Sequence, residues 1–154
     1  MRILIVEEWL RNIQNETDRI SVFQALAVEQ DIVIENKVTE DVMIAGDPNR
    51  ITQLFTILLD NAMKYMGRPG TIKVEASNSN HHAIITFSDD GVGIPKEEVS
   101  GIFTRFYRVD KACSRNHGGS GLGLSIAKWI VEAHHGKITA TSETNKGVTY
   151  KIII

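Results

Sequence analysis

The stretch Asp89-Asp-Gly-Val-Gly-Ile-Pro95 is the part of this 154-residue chain around which the other segments are arranged. It follows an alternating run, Ala83-Ile-Ile-Thr-Phe-Ser88, which is typical of a β-strand. A carboxylate therefore stands at a strand end beside two glycines. Glycine has no Cβ and tolerates positive φ, so a flat ligand could approach this backbone and donate a hydrogen bond to Asp89. A plain strand followed by a glycine-rich turn has the same pattern, and this stretch alone does not separate the two.

The composition is that of an ordinary globular domain, with 42% hydrophobic residues, 23% charged residues and a formal net charge of -2. This balance argues against nucleic-acid binding driven by bulk charge. The single cysteine, Cys113, cannot form an intrachain disulfide, and neither a signal peptide nor an apolar run of about 18 residues is visible. We expect a cytoplasmic chain without a membrane segment of its own, although its parent protein could be membrane-anchored.

The first half of the chain predicts three strands, one or two N-terminal helices and a further, well-marked helix. Residues 1–6 and 32–38 have strand patterns, residues 7–29 have the spacing of one or two helices, and residues 42–45 could pair with 32–38 as a hairpin. Asp47 and Pro48 then have the residue types of a helix N-cap and first position. The buried face of that helix is predicted from apolar residues at i, i+3, i+4 and i+7: Ile51, Leu54, Phe55, Leu58, Leu59 and Ala62.

The second half predicts two hairpins, a long loop and another helix. Strands are expected at residues 71–76 and 83–88 around a polar turn at 77–82, and at 138–142 and 148–154 around 145–147. A helix over 121–135 should end with Gly136 in the left-handed conformation. The region of about 96–120 looks irregular, and loops of that length are uncommon unless they bind ligands or act as lids.

Three residues of the Asp47-Pro48 helix share one surface, because Asn61, Lys64 and Tyr65 stand at i, i+3 and i+4. An amide oxygen suits Mg²⁺ when phosphates and waters supply the other ligands. Lys64 offers a charge to phosphate, and Tyr65 offers a ring to a base or sugar. The same residues would also suit a core edge with a hydrogen-bonded Asn, a solvated Lys and a packed Tyr.

A glycine-rich run, Gly118-Gly-Ser-Gly-Leu-Gly-Leu124, leads directly into the second helix. Free N–H groups at a helix start form an anion site, although a flexible hinge has the same composition. The preceding loop has an excess of cations over its one acid, Asp110, which suits polyphosphate as well as a solvated loop. These cations are Arg105, Arg108, Lys111 and Arg115.

Four segments, in this order, resemble the N, G1, F and G2 boxes of the histidine-kinase ATP-binding catalytic domain. They are Ile57-Leu-Leu-Asp-Asn-Ala-Met-Lys-Tyr65, Asp89-Asp-Gly-Val-Gly-Ile94, Phe103-Thr-Arg-Phe-Tyr-Arg108 and Gly119-Ser-Gly-Leu-Gly-Leu124. The resemblance implies a Bergerat α+β fold, a two-layer α/β sandwich in which helices cover one face of a mixed, mostly antiparallel sheet. It implies a catalytic domain at 31–154 with a lid at about 96–120. Residues 1–30 would be a remnant of a dimerisation hairpin or a segment added to the domain.

The resemblance also implies roles for the matching residues. Asn61 would be the Mg²⁺ ligand, and Asp89 would accept a hydrogen bond from the adenine amino group. Lys64 and Arg108 would face the phosphates. The residues around the base would be Tyr65, Gly91, Gly93 and Ile94, and Thr149 would support the adenine site. The run that would bind the phosphates and form the lid hinge comprises Gly119, Ser120, Gly121, Leu122, Gly123 and Leu124.

This chain departs from the family pattern in ways that bear on its function. Ile57 stands where hydrolase relatives place a glutamate base, so water activation should be poor. His135 stands where a second glycine is usual. None of the histidines fits a phosphoacceptor box: His81, His82, His117, His134 and His135.

The chain is therefore expected to bind Mg-ATP and present the γ-phosphate to a histidine of a separate dimerisation domain, with a response regulator downstream. Two alternatives are a non-catalytic ATP-binding regulatory module and a gyrase- or chaperone-like ATPase.

Overall fold

The computed structural model describes residues 3–6, 8–9, 31–38, 41–104 and 122–154. The predicted helices over 7–29, apart from residues 8–9, and the cationic loop at 105–121 lie outside these ranges. In chain order the strands are β1 (Ile3–Ile5), β2 (Ile32–Val38), β3 (Met43–Ala45), β4 (Gly70–Ser79), β5 (His82–Asp89), β6 (Lys137–Ser142) and β7 (Val148–Ile153). The helices are α1 (Pro48–Tyr65), α2 (Gly123–Ala133) and a 3-10 helix at Lys96–Gly101.

The central sheet has five strands in the order β2-β4-β5-β7-β6. β2 and β4 are parallel, and the other neighbouring pairs are antiparallel. The helices lie on one face of this sheet, where alternate strand residues such as Val74, Ile85 and Tyr150 are buried. The predicted α+β sandwich with a mixed, mostly antiparallel sheet is therefore confirmed. None of the helices described is long and apolar enough to span a membrane.

The predicted pairing of residues 42–45 with β2 is wrong. β3 pairs antiparallel with β1, with Ile3 opposite Ala45, and together they form a separate two-stranded sheet. β2 instead joins β4 in parallel, with Ile32 opposite Gly70. Alternation identifies a strand and its buried face, but the partner depends on contacts that are distant in sequence.

Helix α1 begins as predicted. Asp47 is its N-cap, and its Oδ1 accepts a hydrogen bond from the backbone N–H of Asn49 at 3.0 Å, while Pro48 is the first helical residue. All six predicted apolar positions of this helix are buried, together with Met63. One face of α1 is thus fixed against the sheet, which determines where Asn61 and Lys64 lie.

Three aromatic rings form the centre of the core. The ring centroids of Trp9 and Phe55 are 5.0 Å apart, those of Phe55 and Phe87 are 5.6 Å apart, and those of Trp9 and Phe87 are 6.3 Å apart. Phe55 belongs to α1 and Phe87 to β5, so the Trp9 ring joins the N-terminal segment to both layers of the domain. These contacts cross the boundary predicted at residue 30.

The turn between β4 and β5 is tighter than the sequence predicts. The strands extend to Ser79 and His82, which are opposite each other, so only Asn80 and His81 form the loop. Both have positive φ, 50° and 67°, as a two-residue type I′ hairpin requires. The polar residues 77–79, predicted as turn, belong to β4.

Helix α2 is shorter than predicted, and its left-handed residue is His135 (φ 61°) rather than Gly136. Gly136 is required for a different reason, because a Cβ there would lie 2.6 Å from the carbonyl oxygen of Ile153. The chain thus places an L side chain in the conformation that glycine adopts most easily.

Replacing His135 with glycine should stabilise the domain. Relief of the left-handed strain exceeds the entropy that glycine adds to the unfolded chain, so the free energy of unfolding should rise by about 0.5–1 kcal/mol in urea titrations. Asn145→Gly is a matched control at φ 67°, where asparagine already tolerates this conformation and little change is expected. A lower unfolding free energy for His135→Gly would contradict the strain argument.

Candidate functional site

The segment Asp89–Pro95, here called the glycine loop, lies between two other segments of backbone. On one side the Val92 N–H donates to the Met66 carbonyl at 2.9 Å, just after α1. On the other side the Asn145 N–H, in the β6–β7 turn, donates to the Val92 carbonyl at 2.6 Å. The Ile94 N–H donates to the Ser142 hydroxyl at 2.7 Å. The loop is therefore held from both sides.

The glycines of this loop are required by backbone packing. A Cβ on Gly91 would lie 2.6 Å from the Cα and carbonyl oxygen of Met66. Gly93 has φ 74°, and a Cβ there would overlap the carbonyl oxygen of Glu143. The side-chain space of both glycines is thus filled by protein backbone, while close approach of a ligand to them stays a prediction.

Asp89 ends β5 with its side chain half-buried. Its Oδ1 accepts hydrogen bonds from the N–H of Gly91 at 2.9 Å and from the N–H of Val148 at 3.4 Å. Burial raises the pKa of Asp89; these two N–H groups counteract that rise, and the neighbouring Asp90 charge adds to it. Oδ2 makes no hydrogen bond to the described residues. One oxygen of the carboxylate is therefore fixed by the backbone, and the other can accept a ligand's donor.

Asn61 lies on the part of α1 that faces the start of α2. Its Nδ2 donates to the Ile57 carbonyl at 3.0 Å, a bond that does not use its amide oxygen. Gly123, the first residue of α2, is packed against both residues, because a Cβ there would lie 3.3 Å from Asn61 Nδ2 and 3.4 Å from Ile57 Cγ2. The predicted metal ligand and the start of the predicted phosphate helix are therefore neighbours.

The other two predicted residues of α1 are partly accessible. Lys64 Nζ lies 3.0 Å from Asp60 Oδ2, in an i,i+4 ion pair whose side chains are partly exposed. Such pairs contribute little to stability, so phosphate could replace Asp60. Tyr65 is half-buried at the end of α1. Burial, with Asp89 and Tyr65 both acting on it, raises the pKa of the Tyr150 hydroxyl above its usual range. Tyr65 and Asp89 therefore both lie near this buried tyrosine.

The structure thus brings Asp89, Gly91, Gly93 and Ile94 together, and it brings Asn61 beside Gly123. Leu122, Gly123 and Leu124 are half-buried at the start of α2. The other predicted phosphate contacts lie outside the described residues: Arg108, Gly119, Ser120 and Gly121.

Thr149 does not join this group. It is opposite Ser88 on β5, whereas Phe87 is opposite Tyr150 on the buried face. Because successive strand residues point to opposite faces, the Thr149 side chain lies on the uncovered face of the sheet, away from the Asp89 carboxylate. The residue that reaches Asp89 is Val148, through its backbone N–H.

Two residues that the sequence did not single out hold the glycine loop. The Ser142 hydroxyl, which accepts from Ile94, donates to the Gly147 carbonyl at 2.7 Å. Arg68 donates to the carbonyls of Asp90, Gly91 and Asn145. Its only sequence signal is the lack of an acidic residue within four positions.

Comparison with known proteins adds to this geometry. Residues 46–154 match the family described as "Histidine kinase-, DNA gyrase B-, and HSP90-like ATPase". The chain belongs to this ATPase family. ATP is accordingly the nucleotide of the domain, and the resemblance inferred from the four boxes is confirmed.

Histidine kinases are among the proteins similar to this chain. Signal transduction histidine-protein kinase ArlS of Staphylococcus aureus (strain USA300) is 48% identical over 115 residues, or 75% of this chain. The chain spans about a quarter of ArlS, since those residues cover 26% of it. The catalytic domain of histidine kinase ThkA superposes with a TM-score of 0.79 at 26% identity, covering 100% of this chain and 95% of that one. Mycobacterial sensor histidine kinase MprB superposes with a TM-score of 0.78 at 25% identity, covering 99% of this chain and 95% of that one.

Proposed function

We propose that this ATPase-family domain binds Mg-ATP and presents the γ-phosphate to a histidine of a dimerisation domain, as part of a two-component sensor kinase that serves a response regulator. The observation that carries the proposal is the Asp89 carboxylate, with Oδ1 fixed by two backbone N–H groups and Oδ2 without a hydrogen bond to the described part of the chain. The kinship with ArlS supports it. So does ThkA, which has been crystallised in complex with the response regulator protein TrrA.

In this proposal Asp89 recognises the base. Adenine carries an exocyclic amino group, and Oδ2 would accept one of its protons. The acceptor is charged and half-buried, where a charge-assisted hydrogen bond is stronger than in water. Ile94, a buried residue of the glycine loop, and Tyr65 at the end of α1 would complete the apolar surroundings of the ring.

Asn61 is the residue proposed to hold Mg²⁺. Its side chain is half-buried, and its Nδ2 bond to the Ile57 carbonyl orients the amide oxygen. Among the described residues there is no cluster of three His, Cys, Asp or Glu able to hold a metal ion by itself. A single amide ligand therefore suits an ion whose other ligands are phosphate oxygens and water. When bound, Mg²⁺ would neutralise charge on the transferring phosphoryl group.

The phosphates would lie near the start of α2, where backbone N–H groups and the helix dipole favour anions. Gly123 packs against Asn61, which would bring the metal and the phosphates together. Lys64 would exchange Asp60 for a phosphate oxygen. Arg108 and the run Gly119–Leu124 are proposed for the same role from their sequence match.

The phosphoryl acceptor is proposed to lie on another domain. A histidine ring nitrogen would attack the γ-phosphorus, the bond to the β–γ bridging oxygen would break, and ADP would leave with that oxygen's electron pair. Three of the four described histidines are poorly suited to this role. His81 and His82 lie at the tip of the β4–β5 hairpin, and both nitrogens of His134 are occupied, by the Ile130 carbonyl and the Asp47 N–H.

A non-catalytic ATP-binding module is the second candidate, which Ile57 and the missing phosphoacceptor histidine allow. Ile57 contributes only its carbonyl to Asn61 and has no polar group with which to activate water. Incubation of the chain with a separate dimerisation domain and γ-labelled ATP distinguishes the two candidates. Labelled phosphohistidine would exclude the non-catalytic module, and its absence with bound ATP would favour it.

Replacing Asn61 with alanine tests the metal role. We expect affinity for Mg-ATP to fall about tenfold, because one of the few protein ligands is lost, and affinity for ATP in EDTA to change by less than about twofold. Isothermal titration with and without Mg²⁺ gives both values. Asn49→Ala, on the first turn of the same helix, is the control. Equal losses in both conditions would contradict a ligand role.

A further inference from the structure

Arg68 makes an unusual set of contacts just after α1. Its Nε and Nη2 donate to the carbonyl of Asp90 at 3.2 and 2.8 Å. Nη2 also donates to the carbonyl of Gly91 at 3.0 Å and to that of Asn145 at 3.2 Å. One guanidinium thus joins the glycine loop, whose Gly91 N–H binds Asp89, to the β6–β7 turn, which leads directly into Val148, the other residue whose N–H binds Asp89.

The contacts of Arg68 depend on the shape of the guanidinium. Its five N–H donors lie in one plane and can bond several carbonyls together, whereas a lysine ammonium is a compact charge on a flexible stem. Every partner that Arg68 has among the described residues is a backbone carbonyl, and none is a carboxylate. The hydrogen bonds of Arg68 therefore fix backbone orientation, while its positive charge lowers the pKa of Asp89 and partly offsets the rise caused by burial.

The peptide unit between Asp90 and Gly91 connects Arg68 to the base-recognition group. Its carbonyl oxygen accepts two hydrogen bonds from Arg68, and its N–H donates to Asp89 Oδ1 at 2.9 Å. In a planar trans peptide the C=O and N–H point in opposite directions. Holding the oxygen therefore aims the N–H at Asp89, which in turn sets the direction of the free oxygen Oδ2.

We propose that Arg68 is a positioning residue for base recognition, which fixes the Asp90–Gly91 peptide and thereby the Asp89 carboxylate in the orientation that selects adenine. The inference rests on the proposed function, in which Asp89 accepts the adenine amino group. Arg68 itself need not touch the nucleotide. A purely structural clamp would affect the binding of all nucleotides alike, whereas a positioning residue changes the preference between bases.

The test compares ATP with ITP, whose base carries a carbonyl oxygen where adenine carries its amino group. Affinities for both, with Mg²⁺, are measured by isothermal titration on the whole chain, together with melting temperatures. The proteins are the wild type, Arg68→Met, Arg68→Lys and Arg50→Met. Arg50 is the matched control, because its guanidinium bonds the Gln53 side chain and lies over the Trp129 ring, on the first turns of α1.

We expect the wild type and Arg50→Met to prefer ATP strongly. Arg68→Met should lower ATP affinity about tenfold and ITP affinity much less, so that the preference for ATP falls by nearly the same factor. Arg68→Lys keeps the charge without the fork and should behave like Arg68→Met. Each preference is measured on folded protein, below the melting temperature of that variant.

The outcomes separate the inference from the proposed function. If the wild type shows no preference for ATP, the proposed role of Asp89 fails. If the wild type prefers ATP and both Arg68 variants keep that preference, the positioning role is overturned. A wild-type preference for ATP in Arg68→Lys would also overturn the positioning role, because a positive charge at position 68 would then be sufficient for base selection. Equal loss of ATP and ITP binding would reduce Arg68 to a structural clamp.

Discussion

Replacing Asp89 with asparagine is expected to weaken ATP binding about 100-fold while the domain stays folded. The asparagine Oδ1 can still accept from the N–H groups of Gly91 and Val148, as the carboxylate does. Its Nδ2 then presents hydrogens where Oδ2 would accept the adenine amino group. A charge-assisted bond is lost and two donors face each other, a change of about 3 kcal/mol, or roughly 100-fold. Titration with Mg-ATP and a urea unfolding curve measure the two effects.

Asp90→Asn is the matched control for Asp89→Asn. This adjacent carboxylate also accepts a backbone N–H, that of Thr71 at 2.8 Å, but it is exposed and points to the other side of the loop. The ATP affinity of Asp90→Asn should stay near that of the wild type. Alanine at position 89 is less informative, because it would leave the N–H of Gly91 without its acceptor and destabilise the loop. Wild-type ATP affinity in folded Asp89→Asn would refute the adenine assignment.

Replacing Trp9 with alanine is expected to lower the free energy of unfolding by about 3–4 kcal/mol. The side chain is buried and contacts both Phe55 and Phe87, so its removal leaves a large cavity between α1 and β5. The indole Nε1 has no hydrogen-bond partner among the described residues, so the loss comes from packing. Urea unfolding, followed by circular dichroism, gives the value.

Trp129→Ala controls for the loss of a tryptophan in general. Trp129 is 58% exposed on α2 and contacts Arg50, so its removal should cost less than about 1 kcal/mol. If Trp9→Ala were as stable as Trp129→Ala, the N-terminal segment would not be part of the folded core. A loss near 3 kcal/mol would instead show that a domain beginning at residue 31 lacks a core residue.

The parts of the fold that the sequence predicts well are those determined locally. Helix α1 has a capping Asp47, a proline at its first position and apolar residues at helical spacing, and each of these acts within one or two turns. The partners of β2 and β3 are determined by distant segments, so the predicted hairpin between them was wrong. His135 and Gly136 differ from the prediction because the packing of Gly136 against Ile153 is not visible in the sequence.

In the candidate site, too, features that depend on local sequence are easier to predict than features that depend on distant segments. Asp89 and Asn61 are proposed as site residues because their types and spacing match known boxes, and their roles stay predictions. Thr149 lies on the opposite face of the sheet from the Asp89 carboxylate, because a one-residue step along a strand reverses the face that a side chain occupies, and a sequence match does not reveal that face. Arg68 was missed because its partners are backbone carbonyls, which every residue carries and no sequence pattern distinguishes.

The tight turn at Asn80 and His81 gives a practical means of attaching this domain to a surface or a dye. It lies at one end of β5, and Asp89 lies at the other end of the same eight-residue strand, roughly 24 Å away at about 3.4 Å per residue. Its side chains are exposed. With Cys113 replaced, a cysteine introduced at His82, the exposed first residue of β5 beside this turn, would thus carry a fluorophore or an anchor far from the proposed nucleotide site, on the strand that ends in Asp89.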